Sequence, residues 1–343
     1  LAKFTNKFKK IDTFFLEHAI LSTIWNMFIF ICILIFIFSF IFGIVSKSLF
    51  VSKESKKYSV KWSDDIGTLY KDISYGKDKA NKFDLYLPKN NSKANYGLVV
   101  YLHAGGFTSG DKAGDIGILS WLCSKGYVAV GINYTLRTDT NNSSILLQSN
   151  EIKQAIPVVI EEARKYGYNI NEMAIAGGSA GHTLAMIYAY RDKDESPVPV
   201  RMTFGAVGPS SFYTEDWGIY GLDQDTDNSR KAAADLFGVM GGIEITPEMI
   251  KDGSYIELMK PVSALAWIDE NTVPSVVAYG TYDKVQPYKA AERLLNAFKK
   301  YNVDYKFFEL LHSGHGLQND DKISIKWMQT VEDYLEKYMP TEK

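Results

Sequence analysis

The stretch "AIAGGSAGHTLA", residues 174–185, decides the fold, because it joins an apolar strand, a glycine-rich turn and a helix within a few residues. We predict a strand over Met173–Ala176, a helix over Ala180–Tyr190 and Ser179 in the turn between them. A G-x-S-x-G turn at such a junction strains the serine backbone and leaves its hydroxyl exposed at the sheet edge. The neighbouring helix N-terminus favours developing negative charge. This placement favours a nucleophile over an ordinary glycine-rich turn.

The sequence on either side predicts an α/β domain with a mostly parallel central sheet. Residues 67–76 and 81–88 have the period-two patterns of an opening antiparallel pair of strands. Continuous apolar strands then alternate with helices, as in a parallel sheet covered on both faces. The predicted later strands cover residues 96–106, 128–136, 172–178, 201–208, 274–283 and 303–311. The predicted helices cover residues 114–127, 149–169 (despite Pro157), 180–190, 288–300 and 322–338.

An insertion interrupts this alternation between residues 211 and 268, where the sequence has only short helical pieces. We predict that it forms a cap over the sheet. Its aromatic residues are candidates for the walls of a binding pocket, although aromatic side chains in such a segment pack in a core as often as they contact a ligand. The candidate substrate-binding residues are Phe107, Tyr213 and Trp217, with Phe212 and Tyr220 as further candidates for the wall.

The N-terminal part predicts a membrane anchor. Residues 24–45 contain no charge and only Asn26 and Ser39 as clearly polar residues, so one helix could cross the roughly 30 Å hydrocarbon core. A buried core helix is usually shorter and striped, and a cleaved signal peptide needs a shorter apolar region and a small-residue cleavage site. The predicted organisation is a tail (1–23), a transmembrane helix (24–45), a linker (46–61) and an α/β domain (62–343).

Lysines flank the predicted span on both sides, so their distribution does not set its orientation. We expect an uncleaved, single-pass anchor with a short cytoplasmic tail and the large domain outside the cytoplasm.

Composition excludes several classes of protein. The net charge of −2 and the lack of a basic stripe argue against nucleic acid as a partner. Two cysteines, Cys32 and Cys123, are too few for a disulfide framework or a cysteine-based metal site. The sequence contains no H-E-x-x-H pair, and its glycine-rich segments lack the lysine of a phosphate-binding loop. We therefore expect no metal and no cofactor, and the sequence leaves the oligomeric state open.

A serine hydroxyl becomes a good nucleophile only when a base removes its proton, and that base needs an orienting acid. Asp283 follows a predicted strand, whereas Asp269 and Glu270 precede it and would emerge at its opposite end. Two histidines follow the last predicted strand. We favour His315 as the base because its glycine-containing loop can swing toward the serine, while His312 adjoins the strand end. The resulting chain order of serine, aspartate and histidine suits an α/β-hydrolase sheet.

Donors for an oxyanion are expected at the glycines that end the run of residues 96–106. Gly105 and Gly106 have no side chains to cover their amides, and the amide of Ala180 directly follows the serine. An "AGG" sequence after a strand also suits an ordinary turn. Its occurrence beside the other elements favours an oxyanion hole formed by these three residues.

The motifs resemble those of α/β-hydrolase carboxylesterases of the hormone-sensitive-lipase-like and feruloyl-esterase-like (BD-FAE-like) group, over residues 67–338. The similar segments are His103–Phe107 (oxyanion loop), Asn133–Arg137 (strand end), Gly177–Gly181 (nucleophile turn), Asp283–Pro287 (acid loop) and Gly314–Gly316 (base loop).

This sequence departs from the group's pattern at Ala104, Gly178 and His182, and none of these departures removes a catalytic group. The resemblance implies that His103 braces the oxyanion loop. We expect His182 to be a helix-cap or packing residue.

The expected function is serine carboxylester hydrolysis of a small or medium ester, with Ser179, His315 and Asp283 as nucleophile, base and orienting acid. An amidase or peptidase could use the same three residues. A membrane-tethered binding domain without activity is a further alternative, although such a protein would be expected to lack one of the three.

Overall fold

The computed structural model describes residues 23, 25, 27, 29–37, 39 and 55–341. The chain divides into two units, residues 1–53 and 54–343. In the second unit, the strands β1 to β8 are Gly67–Ser74, Lys82–Pro88, Tyr96–Leu102, Val128–Ile132, Ile170–Gly178, Val200–Ala206, Ser275–Gly280 and Tyr305–Leu310. The α-helices of residues 55–341, α1 to α8, are Ile116–Ser124, Ile145–Lys165, Ala180–Arg191, Asp227–Gly241, Pro247–Asp252, Tyr255–Met259, Tyr288–Lys300 and Asp321–Tyr338.

One sheet contains all eight of these strands, in the order β1-β2-β4-β3-β5-β6-β7-β8. β2 is antiparallel to both β1 and β4, and the other neighbouring pairs are parallel. The predicted opening pair and the mostly parallel sheet are therefore confirmed. From β3 the chain goes to β4 on one side and then to β5 on the other side. Ligands of open α/β sheets bind at the carboxyl ends of strands where the strand order reverses in this way.

Side chains alternate between two cores along the central strands. Leu98, Val100 and Leu102 of β3 lie in the core covered by α2, α3 and α7, whereas Val99 lies in the core covered by α1 and α8. β4 and β5 alternate in the same way, because successive side chains of a strand point to opposite faces. Both faces are apolar, which explains why the central strands are continuous hydrophobic runs.

Several predicted boundaries are wrong; for example, β3 ends at Leu102 rather than at residue 106, and β4 ends at Ile132 rather than at residue 136. α2 begins at Ile145 rather than at residue 149, because the Ser144 side chain accepts a hydrogen bond from the backbone amide of Leu147 (3.3 Å) and caps the helix. β7 ends at Gly280 rather than at residue 283, since Ser313 and Gly314 backbone atoms lie against Gly280 and the chain turns there.

The insertion between residues 211 and 268 contains α4, α5, α6 and several short 3₁₀ turns. An aromatic cluster of the insertion surrounds Phe237, whose ring centroid lies 5.6 Å from Trp217, 5.7 Å from Phe212 and 5.9 Å from Tyr255. This cluster is continuous with the core that contains Leu98 and Val100 of β3. Phe212, Phe237 and Tyr255 are therefore packing residues, and Trp217 takes part in the same cluster.

The packed domain begins before residue 62, within the predicted linker 46–61. The Tyr58 ring lies edge-on to Trp121 of α1 with centroids 5.2 Å apart, and the amide of Val60 donates to the carbonyl of Gly117 (3.0 Å). Ten of the 22 residues of the predicted span 24–45 lie outside the described residues. Those of its residues that are described are helical, and no helix in the described part of the chain is long and apolar enough to cross a membrane.

The approach of α3 to β6 leaves no room for a side chain at Gly205. A Cβ there would lie 2.4 Å from Cδ2 of His182 and 2.5 Å from the carbonyl oxygen of Gly177. We expect Gly205→Ala to lower the free energy of unfolding by about 1–3 kcal/mol, because backbone and helix must move apart. Gly114→Ala is the control, since its Cβ would meet nothing within 4 Å. Urea unfolding of both variants tests this, and equal stabilities would contradict it.

Candidate active site

Ser179 occupies a strained turn between β5 and α3. Its backbone has φ +51° and ψ −119°, a conformation that non-glycine residues rarely adopt. A Cβ on Gly177 would lie 2.4 Å from the carbonyl carbon of Gly181, and a Cβ on Gly181 would lie 2.0 Å from the carbonyl oxygen of Leu102. Only glycine fits at both positions. The turn therefore holds the serine hydroxyl at the carboxyl end of β5, against the end of β3.

The three residues predicted from separate strand ends lie together. Oγ of Ser179 is 2.8 Å from Nε2 of His315, and Nδ1 of the same imidazole is 2.7 Å from Oδ2 of Asp283. Asp283 follows β7 and His315 follows β8. These are ordinary distances for hydrogen bonds between such groups.

Asp283 is fixed and buried. Its side chain is 1% exposed, and its second oxygen, Oδ1, accepts hydrogen bonds from the amides of Val285 (2.8 Å) and Gln286 (2.9 Å). Because a carboxylate only accepts, Nδ1 of His315 carries the proton in this pair. Nε2 is then free to accept the proton of the Ser179 hydroxyl. This tautomer is the one that a general base requires.

His312, the other candidate for the base, is not part of this hydrogen-bonded series. The His312 side chain is 75% exposed, and its Nδ1 is 2.9 Å from Oδ1 of Asp320. Asp320 also accepts from the hydroxyl of Ser313 (2.7 Å) and from the His312 amide (2.9 Å), and these hydrogen bonds hold the pKa of Asp320 below its usual value. The contacts of Asp320 with the His312 amide and the Ser313 hydroxyl stabilise the loop that carries His315, and they do not require the exposed His312 imidazole. Asp269 accepts from the amide of Asn271 in the turn before β7.

The predicted oxyanion residues also lie beside Ser179. Gly105 and Gly106 have φ +137° and +59°, and both border the same cleft as the serine. A Cβ on Gly105 would lie 1.9 Å from the carbonyl oxygen of Ser109, so the turn requires glycine there. Among the hydrogen bonds of the described residues, none is donated by the amides of Gly105, Gly106 or Ala180. These N–H groups are available to a ligand.

Several contacts brace this loop. The hydroxyl of Tyr134 donates to the carbonyl of His103 (2.8 Å), and the two rings stack with centroids 4.3 Å apart. His103 Nδ1 donates to the carbonyl of Ala104 (2.8 Å), and burial lowers the pKa of His103, which keeps the imidazole neutral. The carbonyl of Phe107 accepts from the side chain of Gln148 (2.9 Å).

His182 is a neutral packing residue. Burial lowers its pKa to about 3, and its Nδ1 accepts a hydrogen bond from the amide of Gly208 (3.2 Å). Its ring lies against the backbone of β6 at Gly205. The His182 ring therefore packs between α3 and β6 and has no contact with the hydroxyl of Ser179.

A cavity of about 340 Å³ opens onto Ser179 and His315. Phe107 and Trp217 line it, as the sequence predicted, together with Tyr220. Tyr213 does not line it: its ring faces the guanidinium of Arg293 in α7 at 4.1 Å, so this part of the prediction is wrong.

Sequence reasoning missed much of the cavity wall. α4 supplies Leu236, Val239 and Met240, whose i, i+3, i+4 spacing marks one face of a helix and was the available signal. The other missed residues are Thr108, Arg137, Ser143, Ser144, Ile145, Pro209, Val285 and Gln286.

Ser179 and His315 also border a second, wider cleft of about 660 Å³, with Leu317 and Trp327 on its wall. The hydroxyl can therefore be approached from two sides, which leaves room for both halves of a substrate. Among the described residues, no group of three or more His, Cys, Asp or Glu side chains is placed to hold a metal ion.

The sheet order and the strand–turn–helix around Ser179 define an α/β-hydrolase-like fold. Within that class the chain belongs to the BD-FAE family of esterase-type hydrolases, whose family model matches residues 83–298.

Several solved structures have a fold similar to that of this chain. A truncated carbohydrate esterase from gut microbiota has a TM-score of 0.62 at 17% identity, over 81% of this chain and 98% of its own. An esterase from Thermogutta terrifontis has a TM-score of 0.61 at 19% identity, over 78% of this chain and 92% of its own. Esterase B from Lactobacillus rhamnosis has a TM-score of 0.59 at 15% identity, over 85% and 94%.

Among curated proteins, the kynurenine formamidase of Danio rerio is similar. It is 30% identical over 131 residues, which is 37% of this chain and 41% of the relative. The match therefore spans less than half of the relative's length.

Proposed function

We propose that the chain is a serine carboxylester hydrolase with Ser179 as nucleophile, His315 as general base and Asp283 as the acid that orients the imidazole. The observation that carries this proposal is the hydrogen-bonded series from hydroxyl to imidazole to buried carboxylate, at 2.8 and 2.7 Å. The series begins on a strained turn that exposes the hydroxyl. Such a series is the usual means of making a serine nucleophilic.

The reaction has two halves. Ser179 attacks the ester carbonyl as His315 takes its proton, and the imidazolium then returns that proton to the departing alcohol. Water, activated by the same imidazole, releases the acid from the acyl-enzyme. The negative oxygen of each tetrahedral intermediate would be bound by the amides of Gly105, Gly106 and Ala180. Donors of this kind contribute about 3–4 kcal/mol each to the transition state.

The cavity volume supports a small or medium substrate. About 340 Å³ is at the lower end of the range of small-molecule sites, roughly 300–1,000 Å³. The apolar wall provided by Phe107, Trp217 and α4 suits an aliphatic or aromatic group. We propose no metal and no cofactor in this reaction.

A second candidate is the hydrolysis of an amide, specifically a formamide. The similarity to kynurenine formamidase favours it, and the same three residues could cleave either bond. A membrane-tethered binding domain without activity is the weakest alternative, because such a domain has no use for a hydroxyl, an imidazole and a buried carboxylate in hydrogen-bonded series.

We also propose that residues 24–45 anchor the protein in a membrane by a single pass, with the hydrolase domain outside the cytoplasm. This rests on the charge-free run of residues in the sequence.

The three proposed catalytic residues can be tested by substitution. We expect Ser179→Ala and His315→Ala to lower kcat for 4-nitrophenyl acetate by about 10⁴-fold or more, and Asp283→Asn to lower it by about 10⁴-fold. His312→Ala is the matched control and should keep most of the activity, because that side chain is outside the hydrogen-bonded series. Thermal unfolding checks that each variant folds. Full activity of Ser179→Ala would refute the proposal.

The bond that is cleaved can be tested with matched substrates. We expect phenyl acetate to have a kcat/KM at least about 10²-fold above that of acetanilide, because an anilide has the poorer leaving group. Phenyl formate and formanilide form the second pair. If formanilide is cleaved as fast as phenyl formate, the formamidase function is the correct one.

The orientation of the anchor can be tested with a reporter enzyme fused to the C-terminus. We expect activity from a reporter that works only outside the cytoplasm. Activity only from a cytoplasmic reporter would reverse the orientation, and release of the fusion into the soluble fraction would argue against an uncleaved anchor.

A further inference from the structure

Arg137 is a cation in the wall of the cavity beside Ser179. One of its terminal nitrogens, Nη1, donates to the carbonyl of Ser143 (2.8 Å). Among the described residues, no carboxylate forms an ion pair with it, and Asp139, two residues away, is exposed. A guanidinium has five N–H donors, so most of its hydrogen-bonding capacity is unused by the protein.

The rest of the cavity makes this cation unusual. Among the described lining residues, Arg137 is the only one that carries a fixed charge, and none is acidic. The walls are largely apolar, with Phe107, Trp217 and Leu236 among them. A charge beside apolar surface is costly unless a partner compensates it. No carboxylate of the described residues fills this role, and a carboxylate of a bound substrate would.

The start of α2 adds to the positive potential at this end of the cavity. Ser143, Ser144 and Ile145 line the cavity, and Ile145 is the first residue of a helix that continues to Lys165. The N-terminus of a helix favours a negative group within its first turn. Arg137 and the N-terminus of α2 therefore both favour a negatively charged group at this end of the cavity.

We propose that Arg137 binds a carboxylate of the substrate, so that the preferred substrates are esters with an apolar body that ends in a carboxylate. This inference rests on the proposed hydrolase function and specifies its substrate class. The planar guanidinium matches the two oxygens of a carboxylate and can bind them together. Arg137 acts here as a specificity-determining residue: it positions the substrate and takes no part in proton transfer.

The test compares charged and neutral substrates of the same size. Mono(4-nitrophenyl) glutarate and 4-nitrophenyl pentanoate differ by a carboxylate on the acyl side. 4-Carboxyphenyl acetate and 4-methylphenyl acetate differ by a carboxylate on the leaving group. For each pair the quantity measured is the ratio of kcat/KM for the charged substrate to that for the neutral one, in which any general loss of activity cancels.

We expect Arg137→Gln to lower this ratio by about tenfold or more for one of the two pairs, mainly through KM, because a hydrogen-bonded charge pair is lost. Gln keeps an N–H donor for the carbonyl of Ser143. Arg137→Lys keeps the charge without the planar fork and should give an intermediate ratio. Arg164→Gln is the matched control, since it removes one exposed charge from the last turn of α2 and should leave both ratios unchanged.

An unchanged ratio in Arg137→Gln for both pairs would overturn the inference. The substrate pair whose ratio falls shows whether the carboxylate of the preferred substrate lies on the acyl side or on the alcohol side of the ester. If the enzyme turns over none of these esters, the proposed function fails. The inference that Arg137 binds a carboxylate can then still be tested by measuring the affinity for these esters. Calorimetry should then show that mono(4-nitrophenyl) glutarate or 4-carboxyphenyl acetate binds to Ser179→Ala about tenfold more tightly than to the Ser179→Ala/Arg137→Gln double variant. Equal affinities of the two variants for both esters would overturn it.

Discussion

The close approach of the Gly177–Gly181 turn to the end of β3 is the constraint on which the site depends. With Gly181 packed against the carbonyl of Leu102, the serine turn and the following Gly105 loop lie side by side. The same packing holds Ser179 at a positive φ that an isolated chain would leave. In the proposed oxyanion hole, the amides of Gly105, Gly106 and Ala180 would thereby be oriented before any substrate arrives, which is the condition for electrostatic stabilisation of a transition state.

The parts of the fold that follow from local rules could be predicted from the sequence. The opening antiparallel pair and the buried parallel strands were evident because side-chain periodicity is a property of the strand itself. The proximity of Ser179, Asp283 and His315 followed from topology, since residues just after parallel strands meet at one edge of the sheet. The choice of Asp283 over Asp269 needed only this rule. The choice of His315 over His312 depended on the loop after the last strand, because His315 lies further along this loop and can reach the serine.

The rest depended on tertiary contacts that periodicity does not encode. Tyr213 was a reasonable candidate for the pocket, but its ring is held by Arg293, which also pairs with Asp216. The start of α2 depends on a capping serine that resembles any loop serine in the sequence. The proposed role of Arg137 could not be derived from the sequence, because it depends on the lack of an acidic partner among the described residues that line the folded cavity.

The most direct test of the central claim is to treat the protein with a fluorophosphonate and to locate the adduct by mass spectrometry. The account predicts a single modified residue, Ser179, and a labelling rate that falls by about 10³-fold or more in His315→Ala, since the hydroxyl loses its base. Modification at another residue, or equal labelling of Ser179 with and without the imidazole, would contradict it.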